Sequence, residues 1–308
     1  MSETMYGLSN NFKQVNTRYD PSHEVLWSFM NQRNMIPCFN TDIVRELTQH
    51  HEEIKKTGGV LSAENEIHRI RYSVAASLTP DVFNLGGQLT LIRDLAMNRQ
   101  REALKNYGLQ ALNVLVQRAL RFDLDDVITL SLIQGQALGA GFEAALASDY
   151  IIAEKKSFIG FPEILFNLFP GMGAYSLLAR RAGNKVADEM ILGGKVYTAE
   201  EALALGVIDE VAEDGEGENA IYNWIDKNKK KANGYLATQK AKNRVHPITE
   251  EELIDITMIW LEAALKLTER DFKMMARFVR SQEKMYLPAV AETTEAMTNV
   301  VALRTGTN

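Results

Sequence analysis

The sequence is short of the residues that metal, disulfide and histidine-dependent nucleophilic sites require. Its 308 residues include one cysteine, Cys38, and five histidines. A single cysteine excludes an internal disulfide framework and a zinc cluster, and it fits a reducing compartment. No histidine lies in the glycine-rich segments described below, so a Ser–His or Cys–His site has little support. Because no His, Asp or Glu cluster has ligand spacing, we expect no metal.

Positive charge and long hydrophobic runs are also scarce. The net charge is −6 and the isoelectric point is near 5.5, whereas nucleic-acid binders usually carry a basic face. An acidic protein partner that meets a local basic patch stays compatible with this charge. No stretch approaches the ~20 apolar residues of a transmembrane helix, and the first twenty residues lack the apolar region of a secretory signal. We therefore expect a soluble, cytoplasmic protein without nucleic acid or membrane insertion.

The most informative residues present are two glutamates in apolar, glycine-rich segments. Glu143 ends the sequence QGQALGAGFE, and Glu163 ends FIGFPE and precedes ILFNLF. Glutamate is rarely placed among apolar residues unless it is paired or functional. Apolar surroundings and a neighbouring like charge both raise a carboxyl pKa towards neutrality, which suits general acid–base catalysis. Taken singly, Glu143 as a helix-dipole partner and Glu163 as a solvated loop residue are equally good interpretations.

Two glycine turns accompany the glutamates. Gly86 and Gly87 follow one predicted strand, and Gly139 and Ala140 follow another and open a helix. The first amides of a helix have no internal partner, and the helix dipole there favours negative charge. Two such turns facing each other would aim two backbone N–H groups at one oxygen, as in the oxyanion hole of a thioester enzyme. Either turn alone is more often an ordinary strand–helix connection.

Other candidates are less specific. Gly171, Met172 and Trp260 are candidates to line an acyl pocket, although simple core positions explain the last two about as well. Trp260 lies on an apolar helix face that an oligomer contact would also explain. His50 and His51 lie in a charged helix and are interpreted as part of a solvated face.

The chain order predicts an α/β core followed by helices. Strands and helices alternate to about residue 211, with two helices expected over 88–105 and 109–122, and the pattern is helical from 219 to 284. The acidic, glycine-containing segment 213–218 is the best linker candidate. We therefore predict a catalytic core over 1–212 and a helical region over 213–308.

These motifs together resemble the crotonase (enoyl-CoA hydratase/isomerase) superfamily. The resemblance lies in a strand followed by QGxALGxGxE and DYIIAE, then FxGxPE and PGxG, continuing through ADEMILGG and TAEEALALGVIDEV. Within that superfamily, three further segments are similar to the diffusible signal factor synthases of the RpfF type. They are FNLGGQL at 83–89, GFEAAL at 141–146 and PEILFNLFPGMGAYS at 162–176.

The resemblance implies a ClpP/crotonase-like spiral of ββα units. Its helical C-terminal region would mediate trimerisation and cover the acyl pocket. The family holds an acyl thioester carbonyl between two backbone amides, which fall on Gly87 and Ala140 here. Many members have glycine at the second position, but alanine keeps the N–H group. The acid–base pair falls on Glu143 and Glu163, and Gly86 and Gly139 would lie beside the substrate.

The resemblance also implies an activity. It predicts a lyase that dehydrates a 3-hydroxyacyl thioester on acyl carrier protein to the cis-2-enoyl thioester and hydrolyses it, releasing a cis-2-unsaturated quorum-sensing signal. No cofactor is expected beyond the phosphopantetheine that carries the substrate, or coenzyme A in its place. A homotrimer or hexamer and a regulatory sensor-kinase domain are the implied partners. The alternatives are an ordinary enoyl-CoA hydratase/isomerase of fatty-acid degradation and a non-enzymatic partner-binding scaffold.

Overall fold

The computed structural model describes residues 12–33, 35–63 and 66–286 of the chain. These residues form twelve strands and eleven α-helices, and short 3₁₀ turns lie between some of them. In chain order the elements are β1 (Val15–Asp20), β2 (Val25–Met30), α1 (Thr41–Lys56), β3 (Val60–Ala63), β4 (Glu66–Arg69), β5 (Tyr72–Ser77), β6 (Val82–Asn84), α2 (Leu89–Met97), α3 (Arg101–Ala119), β7 (Ile128–Ile133), β8 (Gln136–Leu138), α4 (Ala140–Leu146), β9 (Tyr150–Glu154), β10 (Phe158–Gly160), α5 (Ala174–Ala182), α6 (Asn184–Gly193), β11 (Val196–Thr198), α7 (Ala199–Ala204), β12 (Glu210–Ala212), α8 (Gly217–Asn228), α9 (Ala232–Val245), α10 (Glu250–Ala264) and α11 (Glu269–Tyr286).

The strands form two main sheets that the chain visits alternately. The larger sheet has the order β1-β2-β5-β7-β9-β12, and the smaller has the order β11-β10-β8-β6. Each of the pairs β5–β6, β7–β8 and β9–β10 places its first strand in the larger sheet and its second in the smaller one. Helices then lead to the next pair. This repeated strand–strand–helix unit is the predicted crotonase spiral, and the fold prediction is confirmed.

The spiral brings distant segments to one edge of the smaller sheet. Its strands β6, β8 and β10 run parallel, so their carboxyl ends meet at the same edge. Strand β6 ends just before Gly86, β8 just before Gly139, and β10 just before Glu163. In open α/β sheets, ligands bind outside the carboxyl ends of the strands. The topology therefore assembles both glycine turns and one glutamate at a typical ligand position.

The C-terminal helices α10 and α11 pack over that edge. Trp260 and Met275 share an apolar cluster with Ile92, Leu104 and Phe166, which come from α2, α3 and the 3₁₀ turn after β10. These helices therefore cover the site of their own chain. No helix in the described parts of the chain is long and apolar enough to cross a membrane. The domain boundary at 212/213 and the trimer stay predictions, and residues 1–11 and 287–308 of the proposed domains lie outside the described residues.

Two local predictions are wrong. The break between α2 and α3 lies at 98–100 rather than near 107, and Arg99 adopts a positive φ of 52° there. Gly108 lies within α3 and does not end it. Its lack of a side chain allows α10 to pack closely there, since a Cβ at Gly108 would lie 3.2 Å from both Thr257 and Trp260.

The second error concerns His50 and His51, which are buried at 0% and 4% exposure. They lie on the face of α1 that packs against the core, with His50 Nε2 2.7 Å from Ser28 Oγ and the His51 ring against Phe122. Burial lowers the pKa of His50 to about 4 and holds the pKa of His51 well below its ordinary value. Both rings are therefore neutral at physiological pH and belong to the core.

Candidate active site

Glu143 lies in the first turn of α4, the helix that begins at the edge of the smaller sheet where β8 ends. Its side chain is 1% exposed. One carboxylate oxygen, Oε1, accepts hydrogen bonds from the backbone N–H groups of Met172 at 2.8 Å and Ala174 at 2.9 Å. Burial raises the pKa of Glu143 to about 7, and the two N–H donors oppose that rise because they stabilise the anion.

Glu163 lies in the 3₁₀ turn Pro162–Phe166 that follows β10. Its Oε2 atom is buried and has no hydrogen-bond partner among the described residues. Burial, and then the negative charge of Glu143, raises the pKa of Glu163 to about 8. Two backbone N–H groups stabilise the Glu143 anion, whereas one, that of Glu163 itself, stabilises the Glu163 anion. The favoured singly protonated state therefore has Glu143 ionised and Glu163 neutral.

The two candidate oxyanion-hole amides come from turns that pack directly together. Gly87 and Ala140 both line the cavity beside the glutamates. Within the described residues, neither N–H donates a hydrogen bond to a protein acceptor. Gly86 has a φ of +94°, and a Cβ there would lie 2.8 Å from the Leu138 carbonyl oxygen and 3.1 Å from the Ala140 nitrogen. Glycine at 86 therefore allows the two turns to meet.

Gly139 provides space for the second carboxyl group. It has φ +52° and ψ −129°, and a Cβ there would lie 2.1 Å from Glu163 Oε1. Gly86 and Gly139 are thus beside the cavity rather than among the residues that line it. Their missing side chains allow other groups to approach the cavity, and their place beside the substrate stays a prediction.

The cavity is largely apolar. It contains about 560 Å³ of space between atoms, including open solvent at its mouth. Among its described lining residues, four have polar side chains: Glu143, Glu163, Tyr107 and Thr257. The others are apolar or glycine: Phe39, Gly87, Leu89, Ile92, Gly108, Ala111, Ala140, Phe166, Leu168, Phe169, Pro170, Gly171, Met172, Trp260 and Met275. Such walls suit the hydrocarbon chain of an acyl group.

Helix α10 holds the segment that supplies N–H groups to Glu143. A Cβ at Gly171 would lie 2.3 Å from Trp260 Cγ, so the indole packs directly on the backbone. The Thr257 hydroxyl lies 2.9 Å from the Gly171 carbonyl oxygen, to which it donates a hydrogen bond. Gly171, Met172 and Trp260 therefore lie together in the wall of the cavity.

Three residues at the site were not identified from the sequence. The Asn84 side-chain oxygen accepts a hydrogen bond from the Gly86 N–H at 2.8 Å, a local turn that asparagine commonly forms. Thr257 and Tyr107 come from helices distant in sequence, and nothing in their own segments marks them. No group of three or more His, Cys, Asp or Glu residues in the described parts of the chain could hold a metal ion.

Comparisons with known proteins agree with this architecture. The sequence model of the enoyl-CoA hydratase/isomerase family matches residues 31–283. A curated relative from Mycobacterium avium, named "Probable enoyl-CoA hydratase echA17", is 43% identical over 96 residues, or 31% of this chain. That match spans 37% of the relative's length.

Solved structures match over most of the chain. An enoyl-CoA hydratase from Bacillus halodurans superposes with a TM-score of 0.69 at 20% identity, covering 86% of this chain and 100% of that one. The DspI protein of Pseudomonas aeruginosa superposes with a TM-score of 0.62 at 21% identity, covering 90% and 98%. At these identities the likeness establishes the fold alone.

Replacing Gly139 with alanine tests the clearance that Glu163 needs. We expect Gly139→Ala to remove nearly all activity, because the new methyl group overlaps the position of Glu163 Oε1. Gly183→Ala is the matched control, since Gly183 also has a positive φ, +90°, but no atom of the described residues lies within 4 Å of its Cβ position. Both variants should melt at lower temperature through backbone strain. Equal activity losses in the two would contradict this role for Gly139.

The raised carboxyl pKa values predict a dependence of stability on pH. A buried carboxyl with a folded-state pKa of about 8 and an ordinary unfolded-state value binds more protons when folded. Stability therefore falls as pH rises between those values, and levels off above the folded pKa. We expect Glu163→Gln to melt several degrees above the wild type at pH 9 and close to it at pH 4.5. A constant difference from pH 4.5 to pH 9, measured by thermal unfolding, would show that Glu163 ionises as an ordinary exposed carboxyl does.

Proposed function

The chain belongs to the enoyl-CoA hydratase/isomerase family, and from that premise we propose that it interconverts 2-enoyl and 3-hydroxyacyl thioesters. In this proposal, Glu143 and Glu163 exchange protons with the substrate and with water. The amides of Gly87 and Ala140 hold the thioester oxygen, and the apolar cavity holds the acyl chain. Family membership gives the general class of enzyme, and we propose the roles of these four residues within it.

One observation carries this proposal. Two carboxyl groups with raised pKa values line the same apolar cavity as two backbone N–H groups that have no acceptor among the described residues. An ionised carboxylate is a base and a neutral carboxyl is an acid, so the pair supplies both groups at one pH. The two amides supply the electrostatic stabilisation that an enolate oxygen needs.

The chemistry follows from the favoured protonation state. In hydration, ionised Glu143 takes a proton from water while the water oxygen bonds to Cβ. The carbon–carbon π electrons move to form an enolate, whose oxygen lies between the Gly87 and Ala140 amides. Neutral Glu163 then gives its proton to Cα and the carbonyl re-forms. Dehydration reverses each step, and proton exchange between the carboxyls and solvent restores the starting state.

This mechanism predicts a bell-shaped pH profile. Activity should fall as pH drops below about 7, where Glu143 gains a proton, and as it rises above about 8, where Glu163 loses one. Glu143→Gln and Glu163→Gln should each lower kcat by at least about 10²-fold, because each removes one of the two proton-transfer groups. Hydration of a 2-enoyl-CoA thioester, followed by its loss of ultraviolet absorbance, measures both effects.

Glu154→Gln is a matched control for these variants. Glu154 is also a buried glutamate, at 2% exposure, but it lies in β9 and pairs with Gln134. Its substitution should leave the pH profile and kcat unchanged. If Glu154→Gln lowers activity as much as the two site variants do, the losses report a general disturbance and the acid–base assignment fails.

The signal-synthase interpretation remains a second candidate. The segments that resemble diffusible signal factor synthases supply part of the cavity wall, including Gly87, Gly171 and Met172. The same site would dehydrate a 3-hydroxyacyl group on acyl carrier protein and hydrolyse the cis-2-enoyl thioester, with a carboxylate activating water. The family match and the curated relative carry hydratase names, and they favour the hydratase alternative over this one.

The partners follow from which thioester is bound. A carrier-protein substrate would bring phosphopantetheine and the acidic carrier protein, whereas the hydratase reaction uses coenzyme A. A homotrimer or hexamer, a sensor-kinase regulatory domain and a cytoplasmic location are further proposals. A purely partner-binding scaffold is the third alternative, and the two glutamates at the cavity argue against it because a scaffold has no need of them.

Product analysis separates the two candidate enzymes. We expect the purified protein to convert 3-hydroxydodecanoyl-ACP or its CoA counterpart to the 2-enoyl thioester, detected by mass spectrometry. Free cis-2-dodecenoic acid that disappears in Glu143→Ala and Glu163→Ala would establish the signal synthase. Reversible hydration of a trans-2-enoyl thioester without free acid would establish the ordinary hydratase. No turnover of either thioester by the wild type would contradict both.

A further inference from the structure

We propose that Tyr107 is a positioning residue that fixes the orientation of the Gly87 N–H group in the oxyanion hole. The inference rests on the proposed function, because it assigns a role within that same site. Tyr107 lies in α3, is 6% exposed and lines the cavity. Its hydroxyl oxygen is 3.5 Å from the position that a Cβ on Gly87 would occupy.

The peptide group that contains the Gly87 N–H is held by a hydrogen bond on its carbonyl side. The carbonyl of that group belongs to Gly86, and its oxygen accepts a hydrogen bond from the Phe39 N–H at 2.8 Å. In a trans peptide, the C=O and N–H point in opposite directions. The Phe39 bond therefore directs the Gly87 N–H away from the Phe39 backbone.

The peptide group that follows Gly87 is held by Tyr107. Its N–H belongs to Gln88 and donates to the Tyr107 hydroxyl oxygen at 2.8 Å. The same hydroxyl donates to the Phe39 carbonyl oxygen at 2.6 Å. Tyr107 thus bridges the two backbone segments on one side of Gly87, while the Phe39–Gly86 bond joins them on the other. Both peptide groups that flank the Gly87 Cα atom are fixed.

The Tyr107 hydroxyl lies where a regular pair of parallel strands would form a direct backbone hydrogen bond. Phe39 and Gly87 form a parallel bridge, and in a parallel ladder the N–H of residue 88 would bond directly to the carbonyl of residue 39. The Tyr107 hydroxyl is inserted between these two groups. Without it, we expect the Gln88 N–H to move towards the Phe39 carbonyl, since a buried unpaired donor is costly. That movement rotates the peptide groups at Gly87.

Tyr107 does not act as a proton donor to the substrate in this proposal. Its proton is held by the Phe39 carbonyl oxygen, and its remaining acceptor position is used by Gln88. Burial also raises the pKa of Tyr107, so the phenol stays neutral where the glutamates titrate. Its effect on the reaction passes through the Gly87 backbone.

Tyr107→Phe tests the proposal because it removes only the bridging hydroxyl. A 2,4-dienoyl-CoA thioester is the probe, since its absorbance shifts to longer wavelength when a carbonyl in an oxyanion hole is polarised. We expect a clear red shift with the wild type and loss of at least half of it with Tyr107→Phe. For 2-enoyl-CoA hydration, kcat should fall about tenfold with KM within about twofold, less than the ~10²–10³-fold cost of removing a hole donor.

Tyr19→Phe is the matched control. Tyr19 is a buried tyrosine, at 8% exposure, whose hydroxyl donates to the Arg69 carbonyl oxygen at 2.7 Å, away from the cavity. It should lower the melting temperature about as much as Tyr107→Phe and leave the red shift and kcat unchanged. A second variant, with 3-fluorotyrosine at position 107, keeps the hydroxyl and should keep the red shift even where Tyr107→Phe folds poorly.

The outcomes separate this inference from the function it rests on. A wild-type protein that binds the probe without a red shift overturns the oxyanion hole itself, and with it the proposed function. A red shift and kcat that survive in folded Tyr107→Phe overturn the role of Tyr107 and leave the function standing. A red shift lost with 3-fluorotyrosine also overturns it, because the bridging hydrogen bonds are still present.

Discussion

The site depends on the burial of two carboxyl groups at the edge where three parallel strands end. A buried charge is unfavourable unless it is compensated, and this protein compensates the two carboxyl groups unequally. Glu143 receives two backbone N–H groups, whereas Oε2 of Glu163 receives no partner from the described residues. The asymmetry favours a carboxylate at Glu143 and a neutral acid at Glu163 when the pair holds one proton. The acid–base chemistry proposed for the site follows from this unequal treatment of two identical side chains.

Close approach of backbones makes that asymmetry structurally possible. The turns after the strands carry the carboxyl and N–H groups of the candidate site, and these groups come together only where glycine leaves room for them. Gly86 lets its turn contact Ala140, and Gly139 leaves room for the Glu163 carboxyl. On the opposite wall, Gly171 admits Trp260, and Thr257 fixes the segment whose N–H groups reach Glu143. The glycines therefore act less as flexible points than as clearances in a tightly packed centre.

How far the sequence predicts the structure depends on the range of each interaction. The glutamates, the glycine turns and the order of strands and helices are local patterns, and the spiral fold follows from them together with the family resemblance. The prediction fails for His50 and His51 because charged neighbours in the same helix suggest a solvated face, whereas burial depends on what packs against it. The sequence also fails to identify Tyr107 and Thr257 as residues of the site. Their partners lie 68 and 86 residues away, so no local pattern identifies them.

This difference in range also suggests how the site is held. The proposed reacting groups come from the spiral core, yet the contacts that orient them come from helices outside the strand ends. Helix α3 reaches Gly87 through Tyr107, and α10 reaches Glu143 through Thr257 and the Met172 amide. Each helix therefore fixes one element of the proposed site: α3 the candidate oxyanion hole, and α10 the donors that stabilise the Glu143 anion. Because α10 packs against α3 at Gly108, where Thr257 and Trp260 approach most closely, a displacement of α10 would act on both elements together. In the proposed function, the C-terminal helices then belong to the catalytic arrangement as well as covering the acyl chain.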